Sequence, residues 1–226
     1  MDPLNTPGSQ QASFFVHLLP YVEQAPLYQL CLTDPNSVNR GIIIPAYLSP
    51  SDYSQINNGA GSVNFAVNLR LWQQAGQNNM MAPTTLFAEE GRPLPKVKMP
   101  ATFNPDGTSY TLLFATKMQV CGANVSTLIN AKPVLAGVST GPYFGWTNAT
   151  LANQSLPSAN LGWQPAPTTS ACIADANLAQ SFYPQAIQVA LCDASVRSVS
   201  ANVSFGRWTR ALTPNGGEEL PPDWSE

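Results

Sequence analysis

The stretch from Ile187 to Val199, near the C-terminal end, constrains the fold more than any other part of this chain. Ile187, Val189 and Leu191 alternate with Gln188, Ala190 and Cys192, the period-2 pattern of a strand with one buried face. Asp193-Ala194-Ser195 then supplies turn chemistry, because an Asp side chain can accept a hydrogen bond from the backbone two residues on. Val196 and Val199 resume an extended run. The stretch predicts two short antiparallel strands joined by a tight turn, so the chain must build a sheet to receive them.

Composition limits what surrounds that hairpin. The chain has 226 residues, of which 44% are hydrophobic and only 10% are charged, against about 25% charged in an ordinary soluble domain. Its net charge is −3 and its ten Lys and Arg residues are scattered. This argues against a nucleic-acid partner, since phosphate contacts need clustered basic side chains. The surface polarity must come from Asn, Gln, Ser and Thr. The 21 prolines and 15 glycines favour short elements and many turns over long helices. No apolar run reaches the length of a membrane span, and Met1 to Gln10 is too polar for a signal peptide. Cys31, Cys121, Cys172 and Cys192 include no C-x-x-C pair. Four cysteines allow three pairings, and the spacing alone does not choose among one disulfide, two, or buried thiols.

Along the chain, Phe14, Phe15, Leu18, Leu19 and Val22 fit one helical face behind a Ser13 cap, with Pro20 and Pro26 expected to interrupt the helix. Gly41 to Leu48 reads as a buried β segment with Pro45 at an edge or bulge. Ser49 to Asp52 reads as a turn, Ser62 to Asn68 as a strand, Gln73 to Met80 as a loop, and 81–108 as an irregular excursion. A turn over Asp106 to Ser109 leads into a strand over Tyr110 to Thr116, which Met118 to Cys121 could extend. Ser204 caps a short helix whose Phe205, Trp208 and Leu212 share a face, and the acidic tail beyond Glu218 reads as a surface strap or frayed end.

The motifs that carry chemistry are absent. There is no G-x-S-x-G, H-E-x-x-H, P-loop or G-x-G-x-x-G pattern. His17 is the sole histidine and lies in an apolar helical pattern, so neither a His-based metal cluster nor a nucleophile–His pair is expected. Catalytic residues, cofactor and metal are therefore all predicted to be none. Calcium needs only hard oxygen ligands on a loop, but no EF-hand spacing supports it. In the loop-rich middle third, Tyr143, Phe144, Trp146 and Trp163 stand out. Tyr143, Trp146 and Trp163 could form a stacking platform for a glycan or peptide. Anchoring long loops onto the core is the commoner use of such aromatics.

Six short blocks, in order, resemble a bacterial family. Leu18-Leu19-Pro20-Tyr21-Val22-Glu23-Gln24 followed by Leu27-Tyr28 is similar to an LLPYLEQ..LY block. Ile44 to Asp52 resembles IPTFLCPSD, with Ser49 at the family's Cys. Asn64 to Asn68 resembles NYAGN, and Asp106-Gly107-Thr108-Ser109-Tyr110-Thr111-Leu112-Leu113 resembles DGTSNTIL. Asp193 to Arg197 resembles a terminal DGSVR, and Thr213 to Glu218, with Gly216 and Gly217, resembles TRAGGE. Together they resemble a large prepilin-type, type II secretion pseudopilin-like family of unknown function, abundant in planctomycete-type genomes. That family's signature is His, nine residues, then Asp-Gly. Here Tyr183 stands ten positions before Asp193 and Ala194 replaces the Gly, which argues against a left-handed residue at 194.

The resemblance implies an α+β fold over 1–226 as a single domain: a pilin-like head, with an N-terminal helical segment packed on an antiparallel sheet with long loops. Asp106, Gly107, Asp193, Arg197, Gly216 and Gly217 would be its structural signature residues. It implies a non-enzymatic exported protein, periplasmic or at the cell surface, held in the membrane only by a helix upstream of Met1. Its partners would be proteins of a secretion or pilus-like assembly. The alternative is a secreted glycan- or peptide-binding module.

Overall fold

The structure is a computed structural model, and it describes residues 14–33, 42–54, 63–72, 106–121, 124–125, 143–145, 162–173, 178–214, 217 and 220–226. The expected loops over 73–105 and the residues Trp146 and Gly216 lie outside that set.

The expected hairpin forms as β8 (Ala186–Leu191) and β9 (Val196–Ser200), with Ile187 opposite Val199 and Val189 opposite Arg197. Ile187, Val189 and Leu191 are buried while the residues between them are partly exposed, as the alternation predicts. β8 pairs antiparallel with β2 (Leu112–Thr116), and β2 with β1 (Phe65–Asn68). β1 also takes a short parallel partner, β5 (Tyr143–Phe144), so the sheet order is β5-β1-β2-β8-β9. The hairpin is thus half inside the sheet: β8 is interior, and β9 is an edge rather than a central strand.

A bulge in β2 lets one strand serve two cores. Leu112 pairs with Leu191 and Phe114 with Ala190, so Leu113 is the extra residue. The shift breaks the period of two. Leu112 and Ala115 both enter the core on one face, and Phe114 points to the other.

The Phe114 face is covered by the N-terminal helices. α1 (Phe14–Leu18) runs into a 3-10 turn (Leu19–Val22) and then α2 (Ala25–Thr33). Phe15, Val16 and Leu19 are buried with Leu27, Ile44, Tyr47 and Val63, and the Phe14 and Phe15 rings lie 5.8 and 5.9 Å from that of Phe114. Pro20 tightens the helix as predicted. Pro26 does not interrupt; it occupies the first turn of α2, where its missing N–H costs nothing. In the expected β segment Gly41 to Leu48, the described residues, Ile42 to Leu48, do not form a strand. Pro45 opens a 3-10 turn over Pro45–Tyr47, and the Tyr47 phenol donates to the Phe15 carbonyl at 2.7 Å, which ties that turn to α1.

The opposite face is closed by α3 (Phe205–Leu212) and the C-terminal tail. Ser204 caps α3, its hydroxyl accepting from the Arg207 N–H. Trp208, Ala211 and Leu212 are buried, but Phe205, expected beside Trp208, is 37% exposed. Trp208 packs 6.1 Å from the Phe144 ring and 6.5 Å from that of Trp163. A Cβ at Gly162 would sit 2.2 Å from Trp208, so only glycine leaves room for the indole. The tail is neither strap nor frayed end where it is described. Leu220 and Trp224 are buried in this core, and the Ser225 carbonyl accepts from Ser200 at the end of β9. Each large apolar side chain fully buried in this way contributes roughly 1.5–3 kcal/mol.

The result is an α+β fold, with an N-terminal helical layer on a mainly antiparallel sheet. Met118 to Cys121 does not extend β2. Val120–Cys121 forms a separate β3 that pairs with β4 (Asn124–Val125). A further parallel pair joins β6 (Trp163–Gln164) to β7 (Ala179–Gln180). Among the described residues no helix is long and apolar enough to cross a membrane.

Candidate functional site

Two places bring together segments far apart in sequence. The first is the end of the sheet where the β8–β9 turn sits. The Ala194 N–H bonds the Leu191 carbonyl at 3.0 Å and the Leu191 N–H bonds the Ser195 carbonyl at 2.8 Å, a turn followed by one left-handed residue. That residue is Ala194, at φ 67°. The expectation that alanine argues against a left-handed position is therefore wrong: the hairpin geometry demands it, and alanine occupies it under strain. The Asp193 carboxylate accepts from the Ser195 N–H at 2.9 Å. The Ser195 side chain and amide, the Ser109 side chain and the Arg197 guanidinium hold that carboxyl below its usual range, against a small desolvation penalty.

The Asp106–Ser109 turn packs directly on this hairpin. The Thr108 carbonyl accepts from the Asp193 N–H and the Thr111 carbonyl from the Cys192 N–H. Gly107 adopts φ 80°, and the Asp106 carboxylate accepts from the Gly217 N–H at 2.7 Å. Asp106, Gly107, Asp193, Arg197 and Gly217 thus gather at one end of the sheet, joined mainly through backbone groups. Beneath them the Cys192 thiol is buried, and burial with the adjacent Asp193 carboxylate pushes its pKa up to about 12.

The second place is built around Asp52, the last residue of the IPTFLCPSD-like block, which the sequence marked as a turn residue and not as a site. It is 4% exposed and accepts four hydrogen bonds: from the Ser54 N–H (2.8 Å), the Ser54 hydroxyl (2.6 Å), the Asn64 side-chain amide (2.6 Å) and the Gln119 N–H (3.0 Å). The Asn64 side-chain oxygen Oδ1 accepts in turn from the Ser49 N–H, and the Ser54 hydroxyl accepts from the Val120 N–H. This network locks the turn at 49–54 onto β1 and β3. Cys121, at the end of β3, is disulfide-bonded to Cys172 across 51 residues, resolving one pairing that spacing left open.

The segment carrying Cys172 is itself rigid. The Gln164 side chain donates to the Ala171 carbonyl and accepts from the Ile173 N–H, and the Gln180 amide donates to the Ile173 carbonyl. Because Asp52 points inward, its neighbours Ser51 and Tyr53 point outward. The Tyr53 phenol donates to the Pro167 carbonyl, and the Ser51 and Tyr183 hydroxyls bond at 2.7 Å. Their OH groups are held, yet Tyr53 is 54% and Tyr183 47% exposed. Burial and the Asp52 carboxylate raise the Tyr53 phenol pKa.

Of Tyr143, Trp146 and Trp163, weighed as a stacking platform against the commoner use as loop anchors, only the Trp163 side chain can be placed, since Trp146 lies outside the described residues. Trp163 is fully buried against Trp208 and offers no face to a ligand. Tyr143 lies on β5, and Phe144 beside it is buried. Among the described residues no three His, Cys, Asp or Glu side chains converge in a way that could hold a metal ion.

A family model described as a protein of unknown function (DUF1559) matches residues 2–206. The chain belongs to this DUF1559 family. No curated protein and no solved structure gives a significant match. Both convergence points lie on blocks within or next to the stretch that the DUF1559 model covers, and Gly217 falls just beyond it.

Proposed function

We propose that this DUF1559 protein is a non-enzymatic exported protein, the globular head of a pseudopilin-like subunit in a secretion or surface assembly. The observation that carries this reading is the N-terminal helical layer, α1 to α2, packed through Phe14, Phe15 and Leu19 onto one face of an antiparallel sheet. That arrangement suits a head carried by a separate apolar helix upstream of Met1, which would hold it in the membrane. The Cys121–Cys172 disulfide fits an oxidising compartment, where such bonds form and persist. Low charge and a hydroxyl- and amide-rich surface fit the same setting. The Asp52 network and the disulfide brace one surface of the head, over Ser51, Tyr53 and Tyr183.

The test is fractionation of the source bacterium expressing the full gene product with an epitope tag. Membrane-associated protein, accessible to protease from outside the cytoplasm and with Cys121 and Cys172 oxidised, is the expected result. Protein confined to the cytoplasm with both thiols free would defeat the proposal.

A further inference from the structure

We infer that Tyr53 and Tyr183 form a stacking surface for a neutral oligosaccharide. The inference rests on the exported-head reading and adds a ligand class to its stiff surface. Three observations support it. First, the rings are preorganised: each phenol is tied by its hydroxyl to a different segment, Tyr53 to Pro167 and Tyr183 to Ser51, while each residue stays about half exposed. Fixing a side chain before binding removes ordering entropy from the cost of association.

Second, the two rings share one base. Ser51 and Tyr53 flank Asp52, whose four hydrogen bonds leave the 49–54 turn little freedom, while the Cys121–Cys172 bond anchors the segment that receives the Tyr53 phenol. A short rigid base carrying two exposed rings suits a ligand longer than one sugar unit.

Third, the described surroundings carry little charge. Residues 162–173 and 178–191 contain no Asp, Glu, Lys or Arg, the one acidic residue of 49–54, Asp52, is buried, and the sequence between the first two stretches holds a single charged residue, Asp175. Thr168, Thr169, Ser170 and Gln185 are exposed there. A neutral sugar presents C–H groups to an aromatic face and hydroxyls to uncharged donors and acceptors, which is this combination. An acidic glycan or a phosphate would want Lys or Arg. A protein partner would want a larger apolar centre, and among the described residues the other large exposed hydrophobics, Tyr21, Leu30, Ile43, Val196 and Phe205, lie outside 49–54 and 178–191.

Cellohexaose, maltohexaose and mannohexaose titrated by calorimetry into the purified oxidised protein test this. Saturable binding of at least one is expected, weakened about tenfold or more in the double variant Tyr53→Ala/Tyr183→Ala, with Val196→Ala unchanged. Amide shifts in labelled wild-type protein give a second readout that needs no variant to fold: the ligand should move Ser51 to Ser54 and Tyr183, and leave Ser195 to Ser198 in place. Absence of binding by all three sugars, unaltered affinity in a folded double variant, or shifts centred elsewhere would overturn it. The assay does not depend on where the cell puts the protein, so its failure is separable from failure of the export proposal.

Discussion

The two ends of the molecule solve the same problem, joining segments distant in sequence, by opposite means. At the β8–β9 turn the joints are backbone to backbone, or exposed carboxylate to backbone, as between Asp106 and Gly217. At the 49–54 turn the joints are a buried carboxylate with four donors and a disulfide. Water competes for the Asp193 and Asp106 carboxylate bonds at the first end and is excluded from the Asp52 carboxylate at the second. The first should therefore tolerate substitution, and the second should not.

The largest expected effect is at Asp52. Asp52→Leu leaves four buried donors without an acceptor and should cost at least about 3 kcal/mol, read from urea unfolding; Asp52→Asn, which retains a single acceptor oxygen, should cost less but still more than about 1 kcal/mol. Next is the disulfide. A closed loop of 51 residues is worth up to about 4 kcal/mol by chain entropy and roughly 2–4 in practice. Cys121→Ala/Cys172→Ala should lower the unfolding midpoint accordingly, and added dithiothreitol should not lower it further.

At the other end the effects shrink and one changes sign. Ala194→Gly should stabilise the protein by about 1 kcal/mol, because glycine adopts φ 67° without the clash that alanine suffers. The urea midpoint should rise with the m-value unchanged. Asp106→Ala should cost about 1 kcal/mol or less, since its bond to Gly217 is exposed. Equal losses for Asp52→Leu and Asp106→Ala would break the contrast between the two ends.

The pH responses are smaller still. The Asp193 carboxyl is held below its unfolded value, so its contribution is present above that value and fades as pH falls through the folded one. A slight acid loss is expected below about pH 4, absent in Asp193→Asn. The Cys192 thiol runs the other way. Raised from 9.0 to about 12, it stabilises fully below the unfolded pKa, and that stability is lost as pH rises towards 12. Native Cys192 should resist dithionitrobenzoate at pH 8 and react on unfolding.

Legibility in the sequence followed the range of the interaction. Ile187 to Val199 was readable because strand alternation and an Asx turn are local. The Ser204 cap was readable for the same reason. Phe14, Phe15 and Leu19 were readable because helical spacing reports one face. Pro45 misled, since a proline among isoleucines suits an edge strand as well as a 3-10 turn, and the choice came from the distant bond of Tyr47 to Phe15. Trp163 was ambiguous, because a tryptophan in a polar loop carries no mark of whether it faces solvent or the space over Gly162; its burial is the anchoring use that was weighed as the commoner one. Asp52 was readable as a turn residue and invisible as a hub, because its partners lie 12 and 67 residues away in Asn64 and Gln119.

The amino-acid sequence alone thus determined the hairpin, the capped terminal helix, the helical N-terminal segment and the low-charge surface, each a matter of period, cap or composition, while the α+β class followed from the resemblance carried by the ordered blocks. Only the tertiary structure decided that Cys121 pairs with Cys172, that β9 is an edge, that Ala194 bears strain, and that Tyr53 and Tyr183 rather than Trp163 face water. Those outcomes depend on which segments meet in space, and the energies that choose among them arise only when water is excluded between residues far apart in the chain.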